Sequence, residues 1–450
     1  MTLKSRYYLL LILFVSVALR VMVALYLGNE IDAPPLLTDQ RSYAALGERL
    51  ITGHGFSFDR GWYPFTEANT PTAHWSFLYS LWIAAVYSLF GANPLAVRVI
   101  QAIIGGLLLP LIVYYFSTTL FQSAAFQPRL TERGFPTERL ALLAAGISAV
   151  YFYFVLYAAT LMTETFYLIT VLWSLLLTMR LAERPTLKLG LWLGLSLGLT
   201  TLLRQSILPW LIIAGLWLLL VASRTKALRR MTGALLAAGV VMALMIAPFT
   251  IRNYAVYGQF LLLNSNAGYA MYSAQHPMQG TNFQEFTGAP MPADMKGLNE
   301  AQMDRELMRR GIGFVTADPS RYILLSLSRI PDYFEFWPSA DTSFINNIGR
   351  VGSFGLLLPF YIFGLVLALR EARPAAQHGW QPFLTSPVTL LLLFMLCYSV
   401  LHILTWAMPR YRLPVDAVAL PFAALALAQL VKFITAKCKA RRGTQPAIAR

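Results

Sequence analysis

Ten long apolar runs constrain this chain more than any other feature of its sequence. Each has roughly 17–25 residues, the length that an α-helix needs to cross the hydrocarbon core of a bilayer. They are predicted near 7–27, 98–120, 139–157, 164–182, 187–203, 207–223, 231–247, 352–370, 386–407 and 414–433. Because backbone groups in lipid must be satisfied within a segment, such runs predict helices. The sequence, 57% hydrophobic and only 13% charged, therefore predicts an all-α polytopic membrane protein.

One further run, 74–91, is nearly long enough to span, and the distribution of charge decides its placement. If it stays on the outer side, the inner segments hold 20 lysines and arginines against four acids, and the outer segments hold 15 against 17. If it spans, every later loop changes side, and the arginine-rich loop 224–230 becomes external. Short basic loops normally stay in the cytoplasm. We therefore predict that 74–91 lies in the outer interface, giving about 10–11 transmembrane helices in the cytoplasmic membrane with both termini inside.

The net charge of +15 is mostly a consequence of this topology. Nucleic-acid binding would require a basic face on a soluble domain, and the sequence indicates none. Two outer segments are large, and functional chemistry is expected there because the inner loops are short connectors. The predicted parts are an N-terminal membrane module (1–247) that includes the first outer segment (28–97), a large outer loop (248–350) with amphipathic surface helices at 298–317 and 320–330, and C-terminal transmembrane helices with a basic inner tail (351–450).

Five arginines lie where apolar runs meet the outer side, with few acids near them. Basic residues are normally kept off this side of a membrane protein. They are Arg98, Arg204, Arg252, Arg410 and Arg412. A single arginine at a helix end is more often a headgroup anchor than a ligand-binding residue. Five at one membrane level predict a phosphate site, because guanidinium forks pair bidentately with phosphate oxygens.

Two carboxylates stand at predicted helix starts on the same side. Asp39 follows Thr38, a good N-cap, and shares a helical face with Tyr43 in a short amphipathic helix. Glu164 begins a membrane helix in an otherwise apolar neighbourhood. For each, the pattern leaves two roles open: complementing the helix dipole, or serving the chemistry of a site.

No cofactor follows from the remaining motifs. The five histidines form no i, i+4 pair and do not occur with cysteines at metal-ligand spacing, so they predict no zinc site. A divalent ion held by Asp39, Glu164 and a histidine of the first outer segment is the metal arrangement that the sequence leaves open. Phosphate-binding loops and dinucleotide fingerprints are lacking from the sequence, which argues against a soluble nucleotide sugar or ATP as the energy source.

The order of these motifs resembles the GT-C membrane glycosyltransferases, specifically family 39 and the protein O-mannosyltransferase type, which include the enzymes that add 4-amino-arabinose to lipid A. The resemblance runs from about Tyr7 to Phe433. It is carried by Asp39-x-x-x-Tyr43, Gly91 with Arg98, Thr163-Glu164, Gly198-Leu199-x-x-Leu202-x-Arg204, Pro248-x-x-x-Arg252-Asn253 and Arg410-Tyr411-Arg412-Leu413-Pro414. The chain departs from the family at Asp39-Gln40, where two adjacent acids are common, and at Gln205, where the family has proline.

This resemblance implies a GT-C-like bundle that transfers a sugar, with inversion, from a polyprenyl-phosphate carrier to a lipid, glycan or protein acceptor outside the membrane. Asp39 is then expected to be the general base. The five arginines are expected to bind the donor phosphate, and Glu164 and Tyr43 to contact substrate. The alternative is a transporter or flippase of a lipid-linked sugar. Transporters place ionisable residues near the bilayer midplane, whereas only Arg20 intrudes into a run here.

Overall fold

The computed structural model describes residues 2–31, 39–132, 134–284, 287–340, 342–372 and 381–443, and over these ranges the chain is helical with no named strand. The helices are α1 Leu3–Leu27, α2 Asp39–Ile51, α3 Phe77–Phe90, α4 Pro94–Gln122, α5 Gln127–Glu132, α6 Thr137–Val150, α7 Phe152–Ala158, α8 Glu164–Glu183, α9 Leu187–Leu203, α10 Leu208–Arg224, α11 Leu228–Tyr257, α12 Ala267–Gln275, α13 Glu300–Ala317, α14 Pro319–Tyr333, α15 Phe344–Arg350, α16 Leu356–Ala372, α17 Gln381–Leu384, α18 Pro387–Leu404 and α19 Leu413–Gly443. Short 3₁₀ turns cover Gln205–Ile207, Pro277–Gln279, Ala293–Met295 and Pro409–Arg412, and a π-helical turn covers Val351–Gly355.

The predicted membrane bundle is confirmed. Within the described ranges, eight helical stretches are long and apolar enough to cross a membrane, and a ninth results if the bent pair α6 and α7 is one span. Helices α3 and α9 are shorter but also apolar. The predicted run 139–157 does not form one continuous helix, because the chain bends by 57° where Tyr151 adopts an extended conformation. Run 74–91 contains α3; its side of the membrane and the division into 1–247, 248–350 and 351–450 stay predictions.

Two buried polar side chains explain how the irregular segment 151–163 is tolerated inside the bundle. Arg20 of α1 donates from its guanidinium to the carbonyls of Ser148 at 3.0 Å and Ala149 at 2.9 Å, at the end of α6. Gln101 of α4 donates from Nε2 to three carbonyls beyond the bend, those of Tyr157, Ala158 and Thr160. Backbone groups released by a helix break inside a membrane protein need such partners. The break therefore explains why a charged residue, Arg20, lies within a predicted membrane run. Beyond the break, the chain continues to Glu164.

The membrane helices approach closely at small residues. A Cβ on Gly190 or Gly194 of α9 would lie 2.3 or 2.5 Å from a backbone oxygen of α11. A Cβ on Gly364 of α16 would lie 1.8 Å from the carbonyl oxygen of Phe422 in α19. These spacings require glycine, and they bring backbones into the direct van der Waals contact that drives helix association in lipid.

The predicted amphipathic helices are present, and their placement on the outer face stays a prediction. Helix α2 forms from Asp39 onward, while its predicted N-cap Thr38 lies outside the described residues. The predicted pair in the large outer loop is present as α13 and α14, and Asp318 caps α14 through the backbone N–H of Arg321 at 2.9 Å. The buried Glu300 carboxylate joins the two segments predicted to lie outside, 28–97 and 248–350. It accepts hydrogen bonds from four donors: the Thr66 hydroxyl at 2.7 Å, the Ala73 N–H at 2.8 Å, the Ser265 hydroxyl at 2.9 Å and the Tyr257 hydroxyl at 3.4 Å.

Candidate active site

Asp39 forms an ion pair with Arg410, although 371 residues separate them in sequence. Asp39 is the first residue of α2, and Arg410 lies in the 3₁₀ turn between α18 and α19. The Nη1 of Arg410 donates to the Oδ2 of Asp39 at 2.8 Å. The two side chains keep 14% and 24% of their surface exposed, for Arg410 and Asp39 respectively. This pair therefore stands at the edge of the protein interior, within reach of solvent.

A second ion pair joins Glu164 to Arg204. Glu164 is the first residue of α8, and Arg204 is the C-cap of α9. The Nη2 of Arg204 donates to Oε1 of Glu164, and its Nε donates to the Thr163 hydroxyl at 2.7 Å. The Glu164 side chain is only 3% exposed, and its other oxygen, Oε2, is buried with no hydrogen-bond partner. A buried carboxylate oxygen without a donor is costly and needs an explanation.

The two pairs meet at the ring of Tyr411. The guanidinium carbons of Arg204 and Arg410 lie 5.6 and 5.2 Å from its centroid, within the range of cation–π attraction. His402 of α18 stacks on the same ring at 4.7 Å, and its buried Nε2 has no hydrogen-bond partner. We call the group around Tyr411 the paired-arginine site: Asp39, Glu164, Arg204, Arg410 and Tyr411. Two cations and two carboxylates leave it close to neutral.

Tyr43 lines the same region from α2, one turn after Asp39. Its ring is buried edge-on against Trp75 at 5.6 Å and Tyr79 at 4.8 Å. Burial raises the pKa of the Tyr43 hydroxyl, and the charge of nearby Asp39 raises that pKa further. The phenol therefore stays protonated and is available as a hydrogen-bond donor.

Arg98 stabilises the segments that carry Asp39 and Glu164. It is fully buried in α4, where Nη2 donates to the carbonyl of Glu30 at 2.6 Å and contacts Oε1 of Gln40 at 3.4 Å. The same Gln40 oxygen accepts from the backbone N–H of Leu161 at 3.0 Å. Gln40 directly follows Asp39, so Arg98 holds the first turn of α2 against the segment that precedes Glu164.

The other two predicted arginines lie in separate environments. Arg252 of α11 bonds Asn253 at 3.1 Å and packs over three aromatic rings at 5.6–5.8 Å, those of Phe56, Phe77 and Tyr257. Arg412 is fully buried and bonds Asp416 at 3.0 Å and the carbonyl of Tyr333 at 2.6 Å. The structure thus brings Arg204 and Arg410 together, while Arg252 and Arg412 have other partners.

A metal site is not assembled from the predicted residues. Within the described ranges, His, Cys, Asp and Glu side chains form no group of three that could hold a metal ion. Asp39 and Glu164 are each engaged by an arginine. His54 contacts the exposed Thr52 hydroxyl at 3.0 Å, and His74 is buried against the rings of Phe65 and Trp75. The divalent-ion arrangement of Asp39, Glu164 and a histidine therefore does not fit this geometry.

His402 is a residue of this region that the sequence did not indicate. It stands alone in an apolar helix, without the i, i+4 spacing by which histidine sites are recognised. Its contact with Tyr411 arises because the turn after α18 folds back on the end of that helix. A single polar residue in the last turn of an apolar helix was the signal present in the sequence.

One protein family matches part of the chain. The model of the dolichyl-phosphate-mannose-protein mannosyltransferases matches residues 129–251, a segment that contains Glu164 and Arg204. This segment is a little over a quarter of the chain. A search of curated proteins finds no match.

Solved membrane proteins share the fold over the whole chain. The archaeal oligosaccharyltransferase AglB from Archaeoglobus fulgidus, in complex with an inhibitory peptide and a dolichol-phosphate, superposes with a TM-score of 0.60 at 15% identity, covering 100% of this chain and 53% of that one. The apo form of the Archaeoglobus fulgidus oligosaccharyltransferase gives 0.58 at 15% identity, covering 100% and 54%. ArnT from Cupriavidus metallidurans, bound to undecaprenyl phosphate, gives 0.51 at 14% identity, covering 95% and 63%.

This chain spans less than two thirds of the length of each of these structures. At such low identity the likeness concerns the fold, and it agrees with the family match and with the apolar helices of a multi-pass membrane protein. The predicted resemblance is confirmed at this level: the chain has the fold of the GT-C membrane glycosyltransferases.

Proposed function

We propose that this protein is an inverting glycosyltransferase that moves a sugar from a polyprenyl-phosphate carrier to an acceptor on the outer side of the cytoplasmic membrane. The observation that carries this proposal is the paired-arginine site, where Asp39 bonds Arg410 at 2.8 Å and Glu164 bonds Arg204 around one tyrosine ring. The reaction needs an anion-binding pair of cations and a carboxylate base. Both are present within this one cluster.

Arg204 and Arg410 bind the donor phosphate. When the bond between the anomeric carbon and the phosphate oxygen breaks, the electron pair stays on that oxygen, and negative charge grows on the phosphate. Two guanidinium groups fixed in a partly buried site stabilise that charge without reorganising during the reaction. Their geometry also suits a phosphate, because each guanidinium offers parallel N–H donors.

Asp39 acts as the general base. It accepts the proton of the acceptor hydroxyl, whose oxygen attacks the anomeric carbon on the face opposite the phosphate, which inverts the configuration. The unpartnered Oε2 of Glu164 accepts a hydrogen bond from a substrate hydroxyl and orients it. Tyr43, one turn beyond Asp39, donates from its neutral phenol to the substrate.

The known proteins of similar fold support a lipid phosphate as the donor group. The AglB structure contains a dolichol-phosphate, and the ArnT structure contains undecaprenyl phosphate. The matching family is named for a dolichyl-phosphate-linked sugar. The proposed acceptor is a lipid, a glycan or a protein presented at the outer membrane surface.

For the other three predicted arginines we propose supporting roles, because each is engaged by other partners. Arg98 positions the first turn of α2 through Gln40 rather than touching the donor. Arg252 anchors α11 among aromatic rings at the start of the large outer loop. Arg412 stabilises the packing of α19 through Asp416. The donor phosphate is thus assigned to Arg204 and Arg410.

The test is transfer from a polyprenyl-phosphate sugar, measured by mass spectrometry of the glycolipids and glycoproteins of a deletion strain that carries each variant. Asp39→Asn is expected to lower the rate by about 10²–10⁴, as for loss of a positioned base. Glu67→Gln, which changes an exposed acid of the same outer segment, is the matched control and should retain full activity. Turnover of the Asp39→Asn variant near the wild-type rate would exclude Asp39 as the base. Movement of the lipid across the membrane without transfer would identify a flippase instead.

A further inference from the structure

We propose that Arg410 is also a positioning residue for the base: it holds Asp39 in an ion pair while the donor site is empty and releases it when a lipid phosphate binds. This inference rests on the proposed function and adds the order in which the substrates act. The donor binds first, and its phosphate frees the carboxylate that activates the acceptor.

The bonds of Arg410 show where the phosphate and Asp39 compete. Its Nη1 donates to Asp39 at 2.8 Å, and its Nη2 has only a long contact of 3.5 Å with the Tyr411 hydroxyl. Its Nε is buried without a partner. A phosphate that binds bidentately uses two parallel N–H groups of one guanidinium edge. A guanidinium has two such edges: the Nη1–Nη2 edge of Arg410 shares its Nη1 with Asp39, and the Nε–Nη2 edge needs the buried Nε.

Asp39 cannot act as a base while it stays in this pair. The lone pair of Oδ2 that points to Nη1 is occupied by the Arg410 hydrogen bond, so it is not free to accept a proton from a hydroxyl. Proton acceptance from a hydroxyl therefore requires the Asp39–Arg410 bond to weaken. An incoming anion on the same guanidinium supplies the driving force, because it replaces the carboxylate as the partner of the cation.

The positions of the two pairs indicate which one opens. Glu164 is 3% exposed, and Thr163 fixes the Nε of its partner Arg204. Asp39 is 24% exposed and is the first residue of a surface helix, so its side chain can turn toward solvent without moving α2. Separating a buried pair leaves an uncompensated charge in a poor solvent, whereas a pair at the edge regains water on one side. The Asp39–Arg410 pair is therefore the one that exchanges.

Competition of this kind predicts that removing the Asp39 charge tightens donor binding. Undecaprenyl phosphate is the probe, and its dissociation constant is measured with purified full-length protein in detergent. Asp39→Asn should bind the probe about fivefold more tightly than wild type, since about 1 kcal/mol of ion-pair free energy is no longer lost. Glu67→Gln, the exposed control in the same segment, should bind as wild type does. Asp39→Ser provides a second variant if the amide destabilises the protein.

A double-mutant cycle separates partner exchange from general electrostatics. In an Arg410→Gln background, the gain from Asp39→Asn should disappear, because no guanidinium remains for which the two anions compete. Persistence of the gain in that background would refute the exchange, since it would come from net charge alone. Unchanged or weaker binding by both Asp39 variants would also refute it.

These outcomes differ from a failure of the proposed function itself. If wild type binds undecaprenyl phosphate and Arg410→Gln weakens that binding, the donor site stands whatever the Asp39 variants do. If wild type does not bind the probe, or if Arg204→Gln and Arg410→Gln bind it unchanged, the donor site is refuted and the exchange with it.

Discussion

Removal of the Arg412 charge should unfold the protein more readily without acting on the donor site. Arg412 and Asp416 are 0% and 1% exposed, and their Nε and Oδ1 atoms are 3.0 Å apart. Asp416 also accepts from the Tyr151 hydroxyl at 2.7 Å, and Arg412 donates to the Tyr333 carbonyl at 2.6 Å. The perturbation is Arg412→Met, which keeps most of the side-chain volume and removes the guanidinium.

The magnitude follows from these contacts. Two unit charges 3.0 Å apart attract by about 5 kcal/mol at an effective dielectric constant near 20. Removing one partner of a buried pair typically costs about 3–5 kcal/mol, because the other charge stays buried. The Tyr333 carbonyl loses its donor as well, which adds about 1–3 kcal/mol. The double variant Arg412→Met with Asp416→Leu removes both charges and should recover most of this loss.

Thermal unfolding in detergent and binding of undecaprenyl phosphate measure the two properties independently. Arg410→Met is the matched control: its pair is partly exposed, so its loss should cost about 1 kcal/mol or less of stability while weakening donor binding. Arg412→Met should show the reverse, and the double variant should be both stable and able to bind. If Arg412→Met were as stable as wild type yet failed to bind the lipid phosphate, Arg412 would belong to the donor site, as the sequence pattern suggested.

Two further predictions concern the outer loop and the topology. Burial raises the pKa of the Asp304 carboxyl to about 6, above its unfolded value of 3.8, because it disfavours the ionised form. The stability that the folded state gains from the neutral carboxyl is therefore complete below about pH 4 and is lost as the pH rises through 6. Asp304→Asn should therefore raise the free energy of unfolding at pH 7.5 by about 3 kcal/mol and leave it unchanged at pH 4; equal gains at both pH values would contradict this. A Thr225→Cys variant in a background without Cys397 and Cys438 should react with an impermeant thiol reagent only after permeabilisation, and labelling of intact cells would reverse the topology.

The helices were predictable from the sequence because their cause is local. Apolar length fixes a membrane helix, and the amphipathic periods around Asp39 and in 298–317 fix α2 and α13. The bend at Tyr151 was not predictable from its own run, which is apolar and aromatic on both sides of that residue. It depends on Arg20 and Gln101, which lie in other helices and supply the donors that a continuous helix would not need.

The candidate site was predictable in its components but not in its pairing. Arginines at helix ends on one side of a membrane can be recognised from hydropathy and charge alone. Which acid each one meets depends on tertiary packing, as with Asp39 and Arg410 at opposite ends of the chain. Nothing in the short segment Arg410-Tyr411-Arg412 indicates that its two arginines face different surroundings. The 3₁₀ turn produces that difference, because it directs Arg412 toward α19 and Arg410 toward α2.

Exposure is the property that separates structural from exchangeable ion pairs in this protein. Separating two charges that have no access to water costs several kcal/mol. A substrate anion therefore cannot displace the Asp416 carboxylate from Arg412 at ordinary affinity. A pair at the edge of the interior is weaker, and its two ions regain hydration as they separate. Arg410 meets this condition, and Arg204 meets it partly, with 14% and 18% exposure beside one tyrosine ring. An anionic substrate would therefore bind where the protein holds the Asp39 carboxylate loosely, and that carboxylate is then released next to it to act as the base.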